Sequence, residues 1–95
     1  MNLRFEWDSK KAGSNLAKHG VSFEEALTVF SDPLARIFDD EDHSSEEERE
    51  IIIGHSVKQR LLLVCFTARV TPIRIFSARQ ATKGERRDYE ENVSS

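Results

Sequence analysis

Residues 72–89, PIRIFSARQATKGERRDY, join an apolar strand to a capped helix without a linker. Ile73, Ile75 and Phe76 follow Pro72 and predict a short buried strand. Thr82-x-x-Glu85 is a capping box, which predicts a helix that continues to about Asn92. The chain therefore places a strand, a run of basic residues and a helix directly after one another.

Positive charge is concentrated in this stretch, on Arg74 and Arg79 of the strand and on Lys83, Arg86 and Arg87 of the helix. A guanidinium group is a planar fork of donors that matches phosphate, so the junction can bind such an anion. The alternative is that these residues only fill the solvent faces of a strand and a helix. That explanation serves equally well for Lys83 and Arg87, and less well for Arg74 and Arg79.

The composition indicates one globular domain over residues 1–95, since 95 residues supply a single modest core. The longest apolar run, Leu61 to Phe66, has the length of a strand and is too short for a bilayer. The N-terminal MNLRFEWD lacks the apolar core of a secretory signal, so we expect a cytoplasmic protein. The single cysteine, Cys65, excludes a disulfide scaffold and reads as a small core residue.

The net charge is −3, but acidic and basic residues are unevenly distributed along the chain. Residues 39–50 hold eight acids and one arginine, whereas residues 51–87 hold eight Lys or Arg and one acid. We interpret the acidic run as a solvated loop with a turn of helix after Ser44 or Ser45, in preference to a metal site. Two other uses stay open: the run could shield the basic surface or hold a basic partner.

The periodicity of apolar residues and the helix-capping motifs predict an α+β domain. Its element order is β-α-α-β-β-β-β-α, and its antiparallel sheet carries the helices mainly on one face. Connections of two or three residues make the last three strands hairpins, and apolar residues on both faces make 60–69 the central strand. Ser77 is expected on the same face as Ile75, in a structural role. The predicted strands are Leu3 to Trp7, Leu34 to Phe38, Glu50 to Val57, Arg60 to Arg69 and Ile73 to Ala78, and the helices begin after Asp8, at Ser22 and at Thr82.

The first helix, between the caps Asp8 and Gly20, has few apolar positions. We expect Ala12, Leu16 and His19 to face the core. His19 is also a candidate for proton transfer, because imidazole exchanges protons near neutral pH; a ring that only packs on a neighbouring helix is the alternative. The adjoining face is polar and carries Lys11, Asn15 and Lys18.

Several motifs are absent from the sequence. It has no phosphate-binding glycine loop, no GxGxxG, no HExxH or Cys/His zinc spacing and no GxSxG. We therefore expect neither a metal nor a cofactor.

Several segments together resemble one family. FEWDSKKAGSNLAKHGVSFEEALTVFSDP, then EEER, IIIG, RLLLVCFT, RIFSAR, AT and ERxxY, are similar to the BrnT-type toxins of bacterial type II toxin–antitoxin systems. The likeness covers roughly Phe5 to Glu91, and the ordered set WD, KHG, DP, SAR and ERxxY is specific. Phe76 departs from the pattern, because the family more often has an aliphatic residue there. Other departures are Glu50, where an aromatic is frequent, and the turn at 68–71.

The resemblance implies a small ribonuclease, similar in fold to RelE-type toxins, that cuts RNA and blocks translation. It also implies a BrnA-like antitoxin of ribbon-helix-helix type that wraps the toxin. Operator DNA would be bound only through that complex, which represses its own promoter.

A nuclease of this kind needs no metal when the 2′-OH of the RNA is the nucleophile, but it needs proton transfer and positive charge on the phosphate. We assign phosphate stabilisation to Arg74 and Arg79, and proton transfer or phosphate contact to Lys18 and His19. The RNA-binding candidates are Arg60, Arg69 and Arg86 for the backbone and Tyr89 for a base or the acid–base step, with packing on the sheet as the alternative for Tyr89.

Two other functions are compatible with these residues. One is a non-catalytic module that binds nucleic acid or docks an antitoxin, with arginines that only hold phosphates; it predicts salt-sensitive RNA binding without cleavage. The other is a regulatory domain whose basic face receives an acidic protein segment. It predicts that RNA binds no better than any polyanion.

Overall fold

The computed structural model describes residues 3–40, 48–68 and 71–94, and in them the elements follow the predicted order. The expected turn of helix after Ser44 or Ser45 and the end of the central strand at Arg69 lie outside the described residues. The elements are β1 (Phe5–Glu6), α1 (Ser9–His19), α2 (Phe23–Leu27) with a 3-10 turn (Thr28–Ser31), β2 (Arg36–Asp39), β3 (Glu50–His55), β4 (Leu61–Thr67), β5 (Ile73–Gln80) and α3 (Lys83–Ser94).

The five strands form one sheet in the order β1-β5-β4-β3-β2. The predicted hairpins are present, because β3, β4 and β5 pair antiparallel, and β4 is the central strand as expected. The short β1 pairs with β5 in parallel, with Phe5 opposite Ile73. A pairing between chain segments so far apart leaves no local signal in the sequence.

The side chains of β4 alternate between two apolar clusters of unequal size. Leu62, Val64 and Phe66 belong to the larger cluster, which α1 and α2 cover, and we call this side the major face. Leu61 and Leu63 belong to a small cluster on the opposite side, the minor face, which α3 covers through Tyr89. Of the three α-helices in the described residues, two therefore pack on the major face and one on the minor face.

Side-chain caps explain where the helices begin. Asp8 accepts hydrogen bonds from the backbone N–H of Lys10 (2.8 Å) and Lys11 (3.1 Å) at the start of α1. Gly20 ends α1 with φ of 68°, a conformation that favours glycine. Within the described residues, no helix is long and apolar enough to cross a bilayer.

The orientation of α1 differs from the expectation. Leu16 is 51% exposed, and Asn15, expected on the polar face, is only 7% exposed. Asn15 Nδ2 donates to the carbonyl of Ala78 (2.8 Å) and to that of Val21 (2.9 Å), and its Oδ1 accepts from Ala78 N (3.1 Å). Because β1 is only two residues long, β5 has unpaired backbone beyond it, and one amide side chain satisfies both backbone groups of Ala78.

A register shift in β5 changes which face its residues occupy. Phe66 pairs with Ile75 and Cys65 with Ser77, so Phe76 is an extra residue in the strand. After this bulge Ala78 lies in the major-face cluster, and Ser77 is exposed opposite Cys65. The expectation that Ser77 shares the face of Ile75 is therefore wrong, because simple alternation does not hold across a bulge.

Candidate functional site

A cavity of about 490 Å³ lies where α1 runs beside β5, next to the minor face. It brings together two of the four predicted catalytic residues, His19 from the end of α1 and Arg79 from β5. The lining residues are Lys11, His19, Asp40, Arg49, Ile51, Leu63, Cys65, Phe76, Ser77, Ala78 and Arg79. Four of them are basic, so the cavity suits an anion.

Arg79 is held by the capping box of α3. Its Nη1 and Nη2 donate to the two carboxylate oxygens of Glu85 at 2.7 and 2.8 Å. The same Glu85 accepts from Thr82 N (2.9 Å), and Thr82 Oγ1 accepts from Glu85 N (3.1 Å), as the sequence predicts. These hydrogen bonds, with Arg79 the largest contributor, lower the pKa of Glu85 to about 2 against the opposing effect of burial. The guanidinium stays charged, fixed in direction and 42% exposed at the cavity.

The ring of Phe76 lies among cations in the same cavity. The Cζ atom of Arg49 is 3.9 Å from the ring centroid, and Lys11 Nζ is 5.6 Å from it. Both distances fall within the range of cation–π attraction. The bulge therefore supplies the cavity with an aromatic surface next to basic groups.

Cys65, which lines the cavity, is not an activated nucleophile. Cys65 Sγ lies 3.3 Å from Asp40 Oδ2, and burial, followed by this carboxylate, raises the thiol pKa to about 12. The thiol is thus protonated at neutral pH and unreactive. In the described part of the chain, no three His, Cys, Asp or Glu side chains are grouped so as to hold a metal ion.

Other predicted site residues lie outside the cavity lining. Arg74 Nη1 donates to Glu6 Oε2 (2.8 Å) at the β1–β5 pair, and its side chain is 42% exposed. Lys18 is exposed although His19 beside it reaches the cavity. Arg86 is exposed on α3, and Arg69 lies outside the described residues.

Arg60, predicted to contact RNA, forms an ion pair with the buried Glu25, while its own side chain is 28% exposed. Its Nε donates to Glu25 Oε2 (2.9 Å), and its Nη2 donates to Glu25 Oε1 and to the carbonyl of Gly20 (3.0 Å). Ser56 Oγ donates to the same carboxylate at 2.7 Å. These donors lower the pKa of Glu25, with Arg60 contributing most. The geometry gives Arg60 a structural role, because its guanidinium joins α2 to the β3–β4 turn.

Tyr89 is 4% exposed and belongs to the minor-face cluster. Its hydroxyl donates to the carbonyl of Leu34 (3.3 Å), and its ring packs edge-on against His55 at 5.6 Å between centroids. These contacts favour the packing alternative for Tyr89, although the residue also lines a second cavity beside β2 and α3.

The sequence analysis selected His19 and Arg79 as site residues but not four others of the lining, Lys11, Arg49, Phe76 and Ser77, that bear on binding. Lys11 and His19 fall on one side of α1 with Asn15 between them, at i, i+4 and i+8, and that spacing was an available signal. Arg49 is the one arginine in the acidic run, and its isolation there was a second available signal. No local sequence signal placed Phe76 and Ser77 in the cavity, because the bulge that orients them depends on how the strands pair.

Comparison with known proteins identifies the family of the chain. A family model described as the ribonuclease toxin BrnT of type II toxin–antitoxin systems matches residues 7–85. The fold is similar to the 1.1 Å crystal structure of the Brucella abortus ribonuclease toxin BrnT, with a TM-score of 0.64 and 24% identity. That match covers 86% of this chain and 100% of the Brucella chain. A sequence search of curated proteins gives no significant match. Since the family model spans most of the domain, this chain belongs to the BrnT family of ribonuclease toxins of type II toxin–antitoxin systems.

Proposed function

We propose that this chain is a metal-independent endoribonuclease that cuts RNA in the cavity between α1 and β5. The observation that carries the proposal is the meeting of His19 and Arg79 in one basic cavity. The family supplies the class of activity. The residues supply the chemistry, because a fixed cation and a proton carrier are what RNA cleavage through its own 2′-OH requires.

In the proposed reaction the 2′-OH attacks the adjacent phosphorus and forms a new P–O bond. His19 accepts the 2′ proton and then delivers it to the departing 5′ oxygen as its P–O bond breaks, so the step releases and consumes one proton. The products are a 2′,3′-cyclic phosphate and a 5′-OH, so no water or cofactor is consumed. Arg79 stabilises the charge that grows on the phosphate, and Lys11 adds a second positive charge.

We assign the outer predicted residues to RNA contacts beyond the cavity. Arg74, Lys18 and Arg86 are exposed cations that would bind backbone phosphates on either side of the cut. Arg69 stays a candidate of the same kind. Arg60 and Tyr89 are not part of this proposal, because their contacts support the fold.

The partners follow from the family as proposals. We infer that cleavage inhibits translation in the cytoplasm and that a BrnA-like ribbon-helix-helix antitoxin neutralises the chain. The complex of the two, and not this chain alone, would bind operator DNA.

The test is cleavage of bacterial RNA by purified protein with EDTA present, both as naked RNA and on translating ribosomes. Arg79→Ala should lower the rate about 10²–10³-fold, the usual cost of losing one donor to a transition-state oxyanion. Arg4→Ala, an exposed arginine outside the cavity lining, is the matched control and should cut like the wild type. If folded wild type cuts neither substrate, the chain is a binding module and the enzymatic proposal fails.

A further inference from the structure

Phe76 is a large aromatic side chain that does not pack in the apolar core. It belongs to neither apolar cluster, nor to the half-buried side chains packed against them. It stands at the bulge of β5, where an inserted residue redirects the strand. Its described ring contacts are with cations, Arg49 and Lys11.

The ring lines the same cavity as the groups proposed to act on phosphate. Arg79, on the same strand, and His19, at the end of α1, carry those groups. The Cζ atom of the Arg49 guanidinium lies over the Phe76 ring, 3.9 Å from its centroid, in the same cavity. Aromatic rings and guanidinium planes are the surfaces on which proteins stack unpaired RNA bases.

We propose that Phe76 and Arg49 form a nucleobase-binding platform, on which a base next to the scissile phosphate stacks. The inference rests on the proposed ribonuclease function and adds to it a single-stranded substrate. A paired base is stacked within its own helix and is inaccessible to such a platform, so duplex RNA is a poor ligand. Stacking tolerates any base, so the platform predicts weak sequence preference at this position.

Binding can be measured without cleavage by using short 2′-O-methyl oligoribonucleotides, which lack the nucleophilic hydroxyl. The experiment compares a fluorescent pentanucleotide with the same backbone carrying abasic sites, by anisotropy at fixed salt. Phe76→Leu should weaken binding of the base-bearing oligonucleotide roughly 5- to 150-fold, the span reported for loss of one stacked base. It should leave binding of the abasic oligonucleotide unchanged.

Two further variants separate stacking from folding and charge. Phe76→Trp should restore the preference for the base-bearing oligonucleotide, and Arg49→Lys should lower it while keeping the positive charge. Phe38→Leu is the matched control, because Phe38 is 47% exposed on β2 and does not line the cavity. Thermal unfolding of each variant verifies that it is folded.

The proposal is overturned if folded Phe76→Leu binds both oligonucleotides like the wild type, or loses both equally. Its failure is distinct from failure of the nuclease. A wild type that prefers base-bearing oligonucleotides but never cuts RNA keeps the platform and loses the enzyme. A Phe76→Leu variant that cuts and binds like the wild type keeps the enzyme and loses the platform.

Discussion

Two arginine–glutamate pairs in this chain have the same local pattern and different surroundings. Glu25 and Glu85 each occupy the last position of a capping box, after Ser22 and Thr82. Each binds one arginine through both carboxylate oxygens, Arg60 for Glu25 and Arg79 for Glu85. The side chains of the first pair are 28% and 2% exposed, and those of the second are 42% and 32% exposed, in the order Arg, Glu.

The difference lies in what surrounds each carboxylate. Glu25 turns away from its helix start and takes a further hydrogen bond from Ser56, so the pair joins two parts of the core. Glu85 also accepts from Thr82 N at its own helix start and holds Arg79 at the edge of a basic cavity. One pair therefore stabilises the fold, and the other aims a cation at a site. Local sequence alone does not distinguish them.

Glu25→Ala should give the largest change in stability. It leaves the Arg60 guanidinium without its carboxylate and Ser56 without its acceptor. Because the remaining guanidinium is 28% exposed and reaches solvent, we expect the low end of the cost of breaking a buried pair, about 3 kcal/mol. For a domain of this size we expect the melting temperature to fall by more than about 10 °C. Glu24→Ala, at an exposed position of the same helix, is the control for thermal unfolding. Equal melting temperatures for Glu25→Ala and Glu24→Ala would contradict the claim that the Glu25–Arg60 pair stabilises the fold.

Asn15→Ala should have an intermediate effect on both stability and activity. The change leaves the N–H and carbonyl of Ala78 without partners, which costs about 1–3 kcal/mol in the free energy of unfolding. It also loosens α1 from β5, the two elements that carry His19 and Arg79. Urea unfolding and RNA cleavage should both report the loss, and Ser14→Ala, exposed on α1, should change neither. Undiminished activity would show that the cavity does not depend on this docking.

Glu85→Gln should give the smallest change in stability, with a defined pH dependence. The pKa of Glu85 is about 2 in the folded protein against 4.5 ordinarily, so the folded state holds the proton less tightly. Its contribution is therefore present above about pH 4.5 and is lost as pH falls toward 2. Solvent screening limits it to less than about 1 kcal/mol. The wild-type and Glu85→Gln unfolding free energies should converge on acidification, and a constant gap would contradict the pairing.

The sequence predicts the order of elements well because caps, periodicity and short hairpins are local signals. It predicts Arg79 and His19 for the site by residue chemistry and family resemblance. It cannot predict the parallel β1–β5 pair, the buried Asn15 or the bulge at Phe76, since each depends on contacts between distant segments. The same limit hides the pairing of Arg60 with Glu25, because the carboxylate lies 35 positions away along the chain.

The most direct test of the account compares Arg60→Ala with Arg79→Ala in one experiment that measures melting temperature and RNA cleavage. We expect Arg79→Ala to stay close to the wild type in melting temperature and to lose about 10²–10³-fold in rate. We expect Arg60→Ala to melt much earlier and, at a temperature where it is still folded, to cut at nearly the wild-type rate. A folded Arg79→Ala that cuts normally, or a folded Arg60→Ala that is inactive, would contradict the account.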